Sequence, residues 1–118
     1  MEKTDIIAAL AALAQETRLD IFRLLVQAGP DGLPAGQIGE QLGLASATLS
    51  FHLSQLRHAR LVTFRRESRS LIYSTEITNM NALLSYLTEN CCMGTSSACN
   101  VKICDGSKLQ KPKQQRPA

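Results

Sequence analysis

The chain has 118 residues, 44% of them hydrophobic, and its 13 Lys and Arg against 10 Asp and Glu give a formal net charge of +3. That length holds one small domain whose surface-to-volume ratio limits its stability alone, so dimerisation would help. No apolar stretch approaches the roughly 20 residues needed to span a bilayer, so no membrane role is expected. Met1 to Thr4 is not followed by a long apolar run ending in a cleavage site, so the expected compartment is the reducing cytoplasm. The distribution of charge says more than its sum. Residues 1–45 carry Lys3, Arg18 and Arg23 against Glu2, Asp5, Glu16, Asp20, Asp31 and Glu40, whereas residues 46–75 carry Arg57, Arg60, Arg65, Arg66 and Arg69 against Glu67 alone. A polyanion would meet the second segment.

Helices are expected over the first sixty residues. Ile6, Leu10 and Leu13 recur at i, i+4 and i+7 in an alanine-rich stretch, the pattern of an amphipathic helix with a narrow packing face. A second helix runs from about Glu16 to Ala28, with Leu19, Phe22 and Val26 on one side and Ile21 and Leu25 adjoining, and Gly29-Pro30 ends it. Asp31-Gly32-Leu33-Pro34 opens a short third helix through Ile38 and Leu42, stopped by Gly43. Ser46 is expected to cap a fourth, in which Leu49, Leu53 and Leu56 bury one face and Thr48, Ser50, Phe51, His52 and Gln55 cover the others.

After Arg60 the period changes from helix to strand. Leu61-Val62-Thr63-Phe64-Arg65 and Ser70-Leu71-Ile72-Tyr73-Ser74 are β-prone runs separated by Arg66, Glu67, Ser68 and Arg69, which predicts a hairpin with a cationic tip. A last helix from about Thr78 carries Leu83, Leu84 and Leu87 and ends near Asn90. The tail from Ser107 to Ala118 holds Lys108, Lys111, Lys113, Arg116, Pro112 and Pro117 without apolar periodicity, and disorder is expected there. The domain plan is therefore 1–90 for a folded unit, 91–106 for a cysteine-rich segment and 107–118 for a basic tail.

All four thiols of the chain, Cys91, Cys92, Cys99 and Cys104, fall in that middle segment with the spacing C-C-x6-C-x4-C. Structural zinc sites usually pair cysteines on two knuckles, and this spacing fits them poorly; adjacent thiols plus a third suit a small thiophilic ion. Unliganded tail thiols and a disulfide framework are the plainer alternatives. Catalysis is not expected. A thiol-dependent reductase needs an anion cradle such as C-x5-R, but six residues after the four cysteines stand Ser97, Ala98, Asp105 and Gln110, and there is no C-x-x-C pair.

The third and fourth helices, joined by Gly43-Leu44-Ala45 and followed by a basic hairpin, make a helix-turn-helix with a wing: a mainly α fold with a β-hairpin, in the α+β class. Within Leu10 to Leu25 the run A-L-A-Q-E-T-R-L-D-I-F-R-L-L resembles the second-helix signature of the ArsR/SmtB family of metal- and metalloid-sensing repressors. Ser46 to Leu56, S-A-T-L-S-F-H-L-S-Q-L, is similar to that family's recognition helix, and Leu61-Val62 through Ile72-Tyr73 to its wing. The likeness covers about residues 5 to 90. It implies a homodimer, joined by the first and last helices, that binds double-stranded operator DNA.

Two departures narrow the resemblance. The C-V-C-type site of one arsenic-sensing group is missing, since Pro34 to Gly39 contains no cysteine. The His, Asp and Glu ligands of the family's zinc sensors are missing too, for Thr78 to Asn90 has no histidine and only Glu89 as a carboxylate. Ser68 also stands where many relatives have glycine. The cluster after the last helix is similar to an arsenite-responsive subgroup with C-terminal thiols, which implies As(III) as inducer ligand, with Sb(III) or methylarsenite as further candidates. Trivalent arsenic takes three thiolates in a pyramid. Cys91 and Cys92 are the pair. Closing the loop to Cys104 costs only about 0.5 kcal/mol more than closing it to Cys99, so entropy does not choose. Cys99 is preferred because Gly94-Thr95-Ser96-Ser97-Ala98 is small and pliant and because the subgroup uses a pair plus one nearby cysteine; Cys104 is then a spare, an alternate ligand or a fourth thiolate for a different metal.

For DNA, Ser46, Thr48, Ser50 and His52 are expected to reach phosphates and base edges from the first turns of the recognition helix, with Gln55 beside them. Arg57 is assigned to backbone phosphates, and Arg65, Arg66 and Arg69 to phosphates or the minor groove. Phe51 would touch a thymine methyl or, preferably, pack under the wing. A capped surface helix and a solvated hairpin tip are the plainer readings of the same residues. A zinc- or cadmium-responsive or thiol-redox-responsive repressor remains the alternative function.

Overall fold

Alanine, where leucine was expected to pack, sets the course of the first helix in the computed structural model, which describes residues 1–89. Helix α1 (Lys3–Leu13) buries Ile6, Ala9 and Ala12, while Ile7 is 58% and Leu10 41% exposed. The expected stripe of Ile6, Leu10 and Leu13 is thus rotated: Leu13 only packs at the core's margin and Leu10 faces out. Small side chains at positions 9 and 12 let the helix backbone approach its neighbours closely, and that outweighs the burial of one leucine. Helix α2 (Glu16–Ala28) shows a similar shift, burying Ile21, Phe22 and Leu25 and leaving Leu19 and Val26 exposed. The Gln15 side chain accepts from the Arg18 amide at 2.9 Å and caps α2.

Leu33–Pro34, expected to open the third helix, instead forms a short strand, β1, paired antiparallel with the hairpin through Leu33↔Tyr73 and Pro34↔Ile72. The hairpin is β2 (Val62–Glu67) and β3 (Ser70–Thr75), and the sheet order is β1-β3-β2. Gly32 makes this pairing possible. Its φ is +71°, and a Cβ there would run into the Tyr73 carbonyl oxygen.

Helix α3 (Ala35–Leu42) ends at Gly43, φ 66° and ψ 40°, where Leu44 N–H donates to the Gly39 carbonyl at 2.9 Å in a Schellman closure. Gly39 keeps the next helix close: a Cβ would lie 3.3 Å from both Leu44 O and Leu49 Cδ2. Helix α4 (Ser46–His58) buries Leu49, Leu53 and Leu56, as its period predicts. Ser46 does not cap it; Ala45 occupies that position and no side chain bonds the free amides. The far end closes with Arg60 at φ 64°, Leu61 N–H on Leu56 O at 3.0 Å and Arg60 N–H on Arg57 O at 2.9 Å. A left-handed arginine costs about 1–2 kcal/mol, partly offset where Asn79 Nδ2 donates to the Arg60 carbonyl at 2.9 Å.

Helix α5 (Ile77–Thr88) begins directly after β3. The chain divides into two units at Leu83 and Leu84. Leu83 is buried in the core of the first; in the second, Tyr86 and Leu87 are exposed. Cys91, Cys92, Cys99 and Cys104, with the segments 91–106 and 107–118, lie outside the described residues. Among the described residues no helix is long and apolar enough to cross a membrane.

Candidate nucleic-acid interface

Three leucines at i, i+4 and i+7 turn one side of α4 into the core, and the helical period then fixes what the other side presents. Ala47, Phe51, Ser54 and His58 point away from the core. Ser46, Ser50 and Arg57 flank them on one side, Thr48 and Gln55 on the other. Ser46, Thr48 and Ser50 are exposed on the first two turns. With no side-chain cap there, the first-turn amides keep the partial positive charge of a helix start. An open groove of about 500 Å³ runs between α3 and α4, lined by Gly36, Gly39, Ala45, Ser46 and Ser50 among others.

The wing is narrower than expected. Glu67 pairs with Ser70, so the turn is Ser68-Arg69 alone, and Ser68 takes φ 59° in the position where a glycine is at ease. Strand alternation separates the arginines: Phe64 and Arg66 share a face with Tyr73 and Leu71, and Arg65 and Glu67 share the other with Ile72. Arg65 Nε contacts Glu67 Oε2 at 2.7 Å, and its other nitrogen donates to the Asp31 carbonyl at 3.0 Å. Such an exposed pair adds little stability; it does fix where the guanidinium points. Arg57 lies over the Phe64 ring at 4.5 Å, and Phe64 packs on Tyr73 with centroids 5.7 Å apart. This cation–π contact, worth about 0.5–1 kcal/mol at an exposed site, ties α4 to the wing.

His52 sits apart from the other polar residues of α4. Its Nδ1 is 3.3 Å from an Arg18 terminal nitrogen, while Arg18 Nε donates to the Ala12 carbonyl at 2.7 Å. A guanidinium only donates, so Nδ1 must accept and the ring is neutral with its proton on Nε2. Burial, and secondly the Arg18 charge, hold its pKa below the usual 6.5. A lowered histidine pKa means that the unfolded chain binds the proton more readily. The contribution to stability is therefore complete above about pH 6.5 and is lost as pH falls through the folded value. Urea midpoints measured from pH 7.5 to 5.5 should fall for the wild type, and fall less for His52→Gln.

The expected DNA-contacting residues thus divide. Ser46, Thr48 and Ser50 stand open on α4, and Arg57, Arg66 and Arg69 are exposed on α4 and the wing. His52 and Gln55 turn toward α1 and α2, Gln55 lining a groove of about 350 Å³ with Ala8, Ala12, Arg18 and His58. Arg65 is engaged by Glu67 and Asp31. Phe51 does not pack under the wing; it is 57% exposed. The same leucine period that placed the buried face would have placed Phe51 opposite it. Among the described residues there is no group of three His, Cys, Asp or Glu able to hold a metal ion, and the thiols of Cys91, Cys92 and Cys99 fall beyond them.

Comparison with known proteins agrees with this architecture. A helix-turn-helix domain family matches residues 13–64, from the end of α1 into β2. The transcriptional activator HlyU of Vibrio cholerae is 32% identical over 81 residues, 69% of this chain and 72% of that protein. The structure of reduced HlyU from the same organism superposes with a TM-score of 0.60 at 30% identity, covering 75% of this chain and 90% of HlyU. A homodimeric winged helix-turn-helix DNA-binding domain from Mycobacterium bovis, a possible ArsR-family regulator, gives 0.59 at 26% identity over 74% of this chain and 81% of its own. With its sheet, its helix pair and a relative of this likeness, the chain belongs to the winged helix-turn-helix transcriptional regulators of the ArsR/HlyU type.

Proposed function

We propose that the protein is an arsenic-responsive repressor, which binds operator DNA as a homodimer and leaves it when C-terminal thiolates capture As(III). The observation that carries DNA binding is the exposure of Ser46, Thr48 and Ser50 on the first turns of α4, together with exposed Arg57 on that helix and Arg66 and Arg69 on the wing that Arg57 contacts through Phe64. A helix fits the major groove, about 12 Å wide, and cations at its flank meet the phosphates. Support for the dimer comes from the exposed Ile7 and Leu10 on α1 and Tyr86 and Leu87 on α5, apolar groups that a second copy would cover, and from the M. bovis relative described as homodimeric.

The wing makes an internal comparison possible. Arg66→Ala and Arg69→Ala should each weaken binding to duplexes of any sequence and reduce the slope of log K against log salt by about 2, one phosphate contact being lost from each protomer. Arg65→Ala, whose guanidinium already serves Glu67 and Asp31, should change the slope by less. Fluorescence anisotropy across a salt series measures all three, and equal slopes for wild type and both wing variants would remove the wing from the interface.

For the inducer, the support is the donor set. Cys91, Cys92 and Cys99 supply three soft sulfurs, which trivalent arsenic or antimony binds in preference to hard oxygen donors. Capture helps only if the liganded form favours a DNA-free conformation: about 3 kcal/mol of coupling would weaken operator affinity about 100-fold. A thiol-redox response is the second reading, favoured by the relative whose structure is that of a reduced protein. It would follow peroxide and be reversed by dithiothreitol without metalloid.

A further inference from the structure

We infer that Phe51 is a sequence-reading residue of α4, which recognises the C5-methyl group of a thymine in the major groove; this rests on the DNA-binding reading above. The ring is 57% exposed on the face opposite Leu49, Leu53 and Leu56. Its nearest helical neighbours on that face, Ala47 and Ser54, are small, and His58 lies two turns farther on, so the phenyl group projects beyond those beside it. It is also held in place from one side. The His52 ring meets it edge-on, with centroids 5.5 Å apart and planes at 63°, and His52 is fixed in turn by Arg18 at 3.3 Å. An aromatic side chain braced in this way loses little freedom on binding.

Charge identifies what it meets. Exposed Arg57 stands on the same helix, and exposed Arg66 and Arg69 on the wing that Arg57 contacts through Phe64, charges that favour a polyanion over an apolar protein surface as the occupant. A helix does not enter the minor groove, about 6 Å wide, but does enter the major groove, where the thymine methyl is the apolar group on the base edges. The polar groups Ser46, Thr48 and Ser50 can register the helix through phosphates, but they carry little apolar discrimination. Phe51 supplies it.

The test uses the full chain and duplexes selected from a randomised pool. Wild-type protein should enrich thymine at one position of each half-site, Phe51→Leu should keep that preference, and Phe51→Ala should lose it. Replacing that thymine by uracil removes only the methyl group. In one half-site it should weaken wild-type binding about fourfold, the effect of one buried methylene-sized group, and leave Phe51→Ala unchanged. Because the ring is exposed, Phe51→Ala should melt with the wild type, and its loss of discrimination is read as the ratio of thymine to uracil affinities within that variant. Equal wild-type affinity for the thymine and uracil duplexes, or a thymine preference surviving in Phe51→Ala, would overturn the inference while leaving DNA binding intact. A chain that bound no duplex at all would sink both.

Discussion

Alanine in place of Gly32 is expected to destabilise the domain by about 3 kcal/mol or more. Two costs add. An L-residue in the left-handed region loses about 1–2 kcal/mol, and the new Cβ collides with the carbonyl oxygen of Tyr73. That oxygen belongs to β3, the central strand, which pairs with β1 on one side and β2 on the other. It cannot withdraw without breaking a ladder, so the loop must lift and β1 must part from β3. Gly43 provides the control. Its φ of +66° carries the same conformational cost, yet nothing lies within 4 Å of its added Cβ, so Gly43→Ala should lose only that cost, about 1–2 kcal/mol. Urea unfolding of both variants separates the terms, and equal losses would show that the collision is relieved cheaply.

Serine in place of Cys91 should abolish release from DNA by inorganic arsenite while sparing DNA binding itself. Serine has nearly the shape of cysteine but offers a hard oxygen in place of a soft thiolate, and a site left with two sulfurs loses one of the three donors that As(III) prefers. The expected ratio of operator affinities without and with arsenite is about 100 for the wild type, if the coupling is about 3 kcal/mol, and close to 1 for the variant. Cys92→Ser and Cys99→Ser should match it. Cys104→Ser should respond as the wild type does. A Cys91→Ser protein still released normally by arsenite would show that the inducer, or its site, has been misassigned.

What the sequence made legible, and what it hid, follows from the range of the interactions. The leucines of α4 recur with one period and were placed inside from that period alone, and the turn at Gly43 followed from glycine's access to positive φ. The buried side of α1 is not legible from hydrophobicity, because small size decides it: Ala9 and Ala12 pack where Leu10 does not. Strand β1 escaped notice because two residues have no period of their own; Leu33–Pro34 becomes a strand only by pairing with Tyr73 and Ile72, some forty positions along. The same reason hid Arg18 behind His52, a contact between residues 34 apart. For the interface, the basic segment was visible as composition, but the division of Arg65 from Arg66 and Arg69 depended on hairpin register. The sulfur ligands rest on spacing and resemblance, since Cys91, Cys92 and Cys99 lie outside the described residues.

The measurement that bears most directly on the whole account is the anisotropy of a labelled, selected duplex held by full-length wild-type protein, under reducing conditions, as arsenite is added. Anisotropy should fall to the value of free DNA at saturating As(III), and Zn(II) and Cd(II) should not reproduce the fall. Anisotropy unmoved at saturating As(III), Sb(III) and methylarsenite would contradict it.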